Sequence, residues 1–337
     1  TIQVDNAWTQ FNGAVASSNA SYALTKTGNG TLILNGNNTY AGDTTISAGT
    51  LQIGASGLLG GGNYTGNITN NGALVFASNS NQTLGGVISG TGALTKNGSS
   101  TLILTALNSY SGGTTINAGI LQLKAAATNT YNTGNSTFNI NNGSTLLLSA
   151  GAAGNPLLQG TVINIDSNGG ATIVNDALNA LIQNSAGLTI NTNGGAQSQI
   201  NLTNSGRWNN QGSGGGFIFN VASGTNATAD LLLSGSSAVT GQYAITKNGN
   251  GKVLIQDNAN VNGNVTINAG TLEWGGTAAP SFAAGYAILN NGTLSWNSTG
   301  SSTFSNNITG TGVITQRNGN LTLTGSANTY NGSTTVS

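Results

Sequence analysis

The sequence predicts an all-β chain: a right-handed parallel β-helix, read as one continuous β-solenoid and a single elongated rod over residues 1–337. Three observations predict it. One long stretch returns along the chain almost word for word. Apolar residues come in short runs separated by Gly and Asn, the pattern of strands broken by corners. No long segment carries the periodicity of an amphipathic helix.

The repeat comes first. "ALTKTGNGTLIL" begins at Ala23, "ALTKNGSSTLIL" at Ala93 and "AITKNGNGKVLI" at Ala244, and the three run without gaps to Ile53, Leu123 and Trp274. A fourth copy opens "VITQRNGNLTLTGSANTYNGSTTV" at Val313, with one compensating slip. The interval from Ala93 to Ala244 is about twice either of the others, so one or more diverged units are expected over residues 125–243. The linking segments repeat as well. "NITNNGALVF" from Asn67 aligns on "AILNNGTLSW" from Ala287, and "NINNGSTLLL" from Asn139 resembles the same opening.

Within a unit, the runs Leu32 to Leu34, Thr45 to Ser47, Leu51 to Ile53, Asn67 to Thr69, Leu74 to Phe76 and Leu94 to Thr95 read as strands. Counted over a whole unit, with these six included, nine short runs divide into three coils of three strands, about 23 residues per coil. Parallel stacking sets like over like, so Leu32, Leu51 and Leu74 are expected inside, with Lys26, Lys96 and Lys247 at one position around the axis. The pairs Asn35-Gly36, Asn71-Gly72 and Asn291-Gly292 are also hairpin signals. Runs this short and a unit this constant in length favour solenoid corners, which need the same positive φ.

Composition narrows the chemistry. The chain has 7 Lys plus Arg, 7 Asp plus Glu, no Cys and no His. That excludes a disulfide framework and a thiolate metal site, and it removes the commonest general base, so no cofactor or metal is expected. Lys26, Lys96, Lys124, Arg207, Lys247, Lys252 and Arg317 form no basic stripe, and nucleic acid is not an expected partner. No apolar run approaches the ~20 residues that cross a bilayer, so no membrane span is expected in this segment.

Candidate sites are few. The acids are Asp5, Asp43, Asp166, Asp176, Asp230, Asp257 and Glu273. A glycosidase needs two carboxylates roughly 5 to 10 Å apart. Asp166 and Asp176 are close in sequence, and Asp257 with Glu273 would meet only on one coil; all four are better read as turn residues. "NIDSNGGAT", Asn164 to Thr172, has too few carboxylates for calcium and reads as a turn. "GSGGGF", Gly212 to Phe217, lacks the Lys of a phosphate loop. Tyr40, Tyr110 and Tyr330 are equivalent, with Val261 in the third copy. They read either as a ladder for stacking on sugars or as rings packed at a corner with the hydroxyl bonded, and the Val favours packing. The four Trp residues, Trp8, Trp208, Trp274 and Trp296, show no period. Arg207 and Trp208, in "SGRWNNQGSGGG", are the expected contact surface, with the three tyrosines as further candidates.

The pattern "TKxGxGTLxLxGxNTYxGxTTIxAGTLQxG" over residues 23–54, 93–123 and 313–337, and more loosely 244–274, resembles the passenger-associated transport repeat of Gram-negative autotransporter passengers. The resemblance implies a right-handed β-helical stalk at the cell surface, acting in adhesion or cell aggregation, and gives no ligand. No translocating barrel is recognisable and the last copy stops at "STTVS", so the chain is expected to be a segment of a longer protein. The expected function is a non-catalytic, extracellular structural segment of a surface-exposed or secreted adhesin. Self-association is its expected partnership, with extracellular glycans or a host or neighbouring cell surface as further partners. The alternatives are a carbohydrate-active β-helix enzyme, lyase or glycoside hydrolase, and a self-assembling surface filament subunit.

Overall fold

The computed structural model describes every residue except 17–21, 126–136, 142, 151–160, 167–169, 176–187, 203–215, 226–227, 236–238, 242–243, 257–258 and 278–279. The chain is all-β, and each strand pairing among the described residues is parallel. The one helical segment there is the short 3-10 turn Gly60–Gly62, so none is long and apolar enough to cross a membrane. The chain divides into two compact units, Thr1–Pro156 and Leu157–Ser337.

In the first unit the chain cycles over three faces of parallel strands, the third made of two sheets, and that cycling defines a β-solenoid. The first face stacks Ile2–Gln3, Leu24–Thr27, Thr44–Ile46, Ile68–Asn70 and Ile88–Ser89. The second stacks Trp8–Phe11, Thr31–Leu34, Thr50–Ile53, Ala73–Phe76, Ala93–Lys96, Thr114–Ile116 and Thr137–Ile140. The third holds Asn37–Asn38 on Leu58–Leu59, then Asn63–Tyr64, Gln82–Leu84, Thr101–Leu104, Ile120–Ala125 and Thr145–Ala150.

The alternation written into each strand decides what is buried. Thr31–Leu34, Thr50–Ile53 and Ala73–Phe76 turn every second residue inward, and Leu32, Leu51 and Leu74 stack in register with at most 1% of their surface exposed. Each such leucine contributes about 1.5–3 kcal/mol of apolar burial.

The coil count differs from the sequence expectation. On the first face Leu24 pairs with Thr44, Thr44 with Ile68, and Ile68 with Ile88. Leu94, the repeat equivalent of Leu24, is not on that face; it pairs with Leu74 and Thr114 on the second. One repeat unit therefore spans three coils and one further face, with ten face segments rather than nine, and successive copies are turned by a face. Lys26 lies on the first face and Lys96 on the second, which corrects the expectation of one shared position. The physical reason is that alternation within a strand says which residues point inward but not which face they belong to. The corner strand Asn37–Asn38 carries no apolar signal at all.

The second unit uses the same construction. One sheet runs through Val162–Ile165, Leu188–Thr192, Phe217–Val221, Ile245–Asn248, Val265–Ile267, Ala287–Asn290 and Asn307–Thr309. Another runs through Thr172–Asn175, Ser198–Leu202, Leu231–Gly235, Lys252–Gln256, Thr271–Gly276, Thr293–Ser298, Val313–Gln316 and Thr334–Val336. Short third-face strands include Ala259–Val261 on Ser281–Phe282 and Ser302–Phe304 on Leu321–Leu323. Trp274 and Trp296, aperiodic in the sequence, stack in register inside this unit with ring centroids 5.5 Å apart.

Candidate functional site

The charged residue built into the repeat is a lysine. In Leu24–Thr27 the alternation that buries Leu24 also buries Lys26. Lys26, Lys96 and Lys247 are each fully buried. Lys26 Nζ donates to the carbonyl oxygens of Thr27 at 2.8 Å, Gly28 at 2.7 Å and Ala48 at 3.2 Å. Lys247 Nζ donates to those of Asn248 at 2.7 Å, Gly249 at 2.6 Å and Ala269 at 3.2 Å. Lys96 Nζ donates to Gly98 O and, at 3.3 Å, to Ala118 O. Each ammonium thus bonds to its own turn and to an Ala-Gly turn about one coil further on.

The two turns interlock. Gly49, Gly119 and Gly270, which complete the Ala-Gly turns, have φ of 65°, 68° and 67°. A Cβ on them would lie 2.6, 2.6 and 2.5 Å from the carbonyl oxygens of Gly28, Gly98 and Gly249. Only glycine satisfies both the conformation and the approach. In the fourth copy Gln316 takes the lysine's place and donates Nε2 to Gly319 O at 2.6 Å. Burial pushes the Lys96 and Lys247 ammonium groups down to about 8, with Asp230 opposing the shift at Lys247. Burial lowers Lys26 as well, against the charge of Asp5. Sequence reasoning missed this role, although the signal was present: Lys follows the inward Leu or Ile by two places in every copy that has it.

Tyr40 and Tyr110 are core residues, 2% and 6% exposed, with hydroxyls 3.0 and 2.6 Å from the Oγ1 atoms of Thr44 and Thr114. Such rings offer no open face to a sugar. Burial raises the Tyr40 hydroxyl and pushes Tyr110 up to about 12. Tyr64, one coil beyond Tyr40, is also buried, bonds the same Thr44 hydroxyl at 2.7 Å and is pushed up to about 12 by burial. Tyr330 is half-buried, 3.0 Å from Thr334 Oγ1, and Val261 fills the equivalent place in the third copy, 1% exposed.

Arg207 and Trp208 lie outside the described residues, as do Asp176, Asp257, residues 167–169 of the Asn164 to Thr172 segment and residues 212–215 of the Gly-rich run. Asp166 accepts from Asn193 Nδ2 at 2.9 Å on the surface. Glu273 is buried and fully engaged: Lys252 Nζ is 2.9 Å from Oε1, Ser295 Oγ donates to Oε2 at 2.9 Å and Asn297 Nδ2 to Oε1 at 3.3 Å. It is placed to hold three consecutive coils together. Among the described residues no three acidic side chains converge as metal ligands would.

Outward side chains form uncharged ladders. On the first face Thr25, Thr45, Thr69 and Ser89 stack in register, and backbone bonds carry Ser109 over that row. In the second unit the amides of Asn164, Asn191, Asn220, Asn248 and Asn268 form a chain, each donating to the preceding one at 2.7 to 2.8 Å.

Comparison with known proteins bears on both features. The family model described as passenger-associated-transport-repeat matches residues 24–53, 94–123, 245–273 and 318–337, the stretches that hold the Lys turn, the Tyr corner or both. The chain is similar to the Adhesin BmaC autotransporter of Brucella suis biovar 1 (strain 1330), 38% identical over an alignment covering 33% of this chain. That alignment spans 4% of the length of the relative. No solved structure matches the chain significantly. The repeat matches fall on the copies aligned in the sequence, and the similarity to an autotransporter adhesin agrees with the resemblance those copies carry.

Proposed function

We propose that this segment is a non-catalytic stalk of an extracellular, surface-exposed or secreted adhesin of a Gram-negative bacterium, making its contacts through uncharged polar faces. The observation that supports this reading is how the repeated residues are used. Inward Leu, Lys and Tyr hold coils together, Glu273 is committed to neighbouring coils, and the outward positions are ladders of Thr, Ser and Asn. The partner that fits best is a second copy. A face of stacked hydroxyls and amides with few charges has little repulsion to overcome, and each intermolecular bond contributes only about 1 kcal/mol net, so a long repetitive contact is needed. Extracellular glycans on a host or neighbouring cell are the other partners such a face suits.

Sedimentation at rising protein concentration in ~0.05 and ~0.5 M salt tests the reading, the second condition shrinking the Debye length well below about 10 Å. Concentration-dependent association that changes little with salt is expected. A strict monomer removes self-association, and strong weakening by salt assigns it to the few charges instead. Turnover of neutral or acidic polysaccharides that disappears in a Glu273→Gln variant would replace the structural reading with an enzymatic one.

A further inference from the structure

The caged lysines pose a question that burial alone does not answer: a solenoid of apolar ladders has no need to bury an ammonium. The inward neighbours of each lysine in its own stack are apolar. Lys26 lies between Ile2 and Ile46, Lys96 between Phe76 and Ile116, and Lys247 between Phe219 and Ile267. Methionine or leucine would extend those stacks, just as apolar side chains of similar volume often replace a buried ion pair at no cost in stability. What the charge adds is selectivity. A unit whose coils resemble one another invites stacking on the wrong coil, and Leu or Ile ladders accept a neighbour from any coil of the unit.

The geometry points to a register key: we infer that each lysine, with the turn that follows it and the Ala-Gly turn one coil on, selects that coil as its neighbour. Three features carry this. The cage is shared between two coils, because Ala48, Ala118 and Ala269 supply an acceptor from beyond the lysine's own turn. The glycine after each of those alanines is the residue that allows the second turn to seat on the first. The same arrangement occurs at three places in the chain, and Gln316 keeps a donor at the fourth. A coil stacked out of order brings a different turn over the lysine, so the buried ammonium loses an acceptor and the close glycine approach is replaced by a clash. Both penalties fall on the wrong pairing alone. The inference is independent of what the segment binds.

The test separates selectivity from stability. The whole chain is unfolded in denaturant and refolded by dilution as wild type, Lys96→Met, Lys247→Met, the double variant and Lys96→Gln. Native yield is read by size-exclusion chromatography and protease resistance, and stability by the denaturation midpoint of the native fraction. For the Met variants the expected result is a midpoint equal to or above wild type. Their native yield should be lower by about fivefold, the factor that a modest loss of discrimination allows, with the balance in protease-sensitive or aggregated species. Lys96→Gln, which keeps a donor as Gln316 does, should recover most of the yield. An unchanged yield in the double variant overturns the inference, as does a lowered midpoint with unchanged yield, which would make the lysines plain staples. Should the Met variants give no native protein, wild-type yield from Lys96→Gln still supports the key, and failure of Lys96→Gln as well overturns it.

Discussion

The coils at residues 24–123 and those at 162–235 hold the same kind of core by different means. In the first region Tyr64 reaches back 20 residues to Thr44, and Asn67 reaches back 24 residues to Asp43. In the second, the amides of Asn191 and Asn220 reach partners 27 and 29 residues back. Both keep an unbroken inward ladder, with Ile163, Ile190 and Phe219 stacked and buried as Leu32, Leu51 and Leu74 are. The second region has no Lys and no Tyr, while Asn ladders run along both, Asn117 donating to Asn97 at 2.6 Å in the first. The lesson is that the inward ladder makes the solenoid, whereas the number of residues in a coil varies without breaking it. Extra length between strands costs little, since the entropy of a longer connection grows only logarithmically.

A charge placed in the ladder should be ruinous in either region. Leu102 and Ile190 are each 0% exposed. Leu102→Asp and Ile190→Asp should each lose more than about 4 kcal/mol of unfolding free energy, because the carboxylate is buried without a partner. Urea unfolding followed by circular dichroism checks this, and a mild effect at Ile190 alone would show that the diverged ladder is loosely packed.

The next effect, in pH, belongs to the repeat coils alone. Lys96 and Lys247 fall from the ordinary 10.5 to about 8 on folding, so between those limits the unfolded chain holds more protons and stability rises with pH. Tyr64 and Tyr110 move from 10.0 up to about 12, so between those values the folded chain keeps protons that the unfolded chain gives up, and stability falls. Stability should therefore climb from about pH 8 and turn over near pH 10, with the lysine cost fully present at about pH 7. Local opening measured by hydrogen exchange should follow this profile at Leu102 to Leu104 and be flat at Ile190. A flat profile at both would mean that the carbonyl cages hold the lysine protons against burial.

The smallest contrast is between two glycines of similar φ. Gly119, at 68°, would place a Cβ 2.5 Å from Ser100 O, while Gly170, at 76°, has nothing within 4 Å. Gly170→Ala should cost about 1 kcal/mol of backbone strain, and Gly119→Ala roughly a further 1–3 kcal/mol from overpacking. Thermal unfolding that ranks the two equally would show that the close turn seating in the repeat coils is not under constraint.

Much of this architecture is legible in the chain's wording. The alternation around Leu32, Leu51 and Leu74 follows from local rules, since side-chain direction in a strand depends only on the residue's parity. The positive φ expected at Asn35-Gly36, Asn71-Gly72 and Asn291-Gly292 is not found there; those glycines are needed instead for the close approach of carbonyl oxygens of the adjacent coil, 2.4, 2.3 and 2.5 Å from where a Cβ would lie. The repeat matches fall where that wording recurs. The candidate contact residues were less legible: Tyr40 and Tyr110 are buried at corners, and a ring's burial depends on the coil above it, not on its own neighbours in sequence.

The inward set is a local property, because each strand carries that information within its own few residues. Which copy lies above which is not local. The one-face turn between successive repeats, the pairing of Trp274 with Trp296, and the carbonyl cages around Lys26, Lys96 and Lys247 exist only once the coils are stacked. Each cage takes an acceptor 22 residues further along the chain. A lysine two places after an inward Leu or Ile is therefore buried only if another coil's turn closes over it.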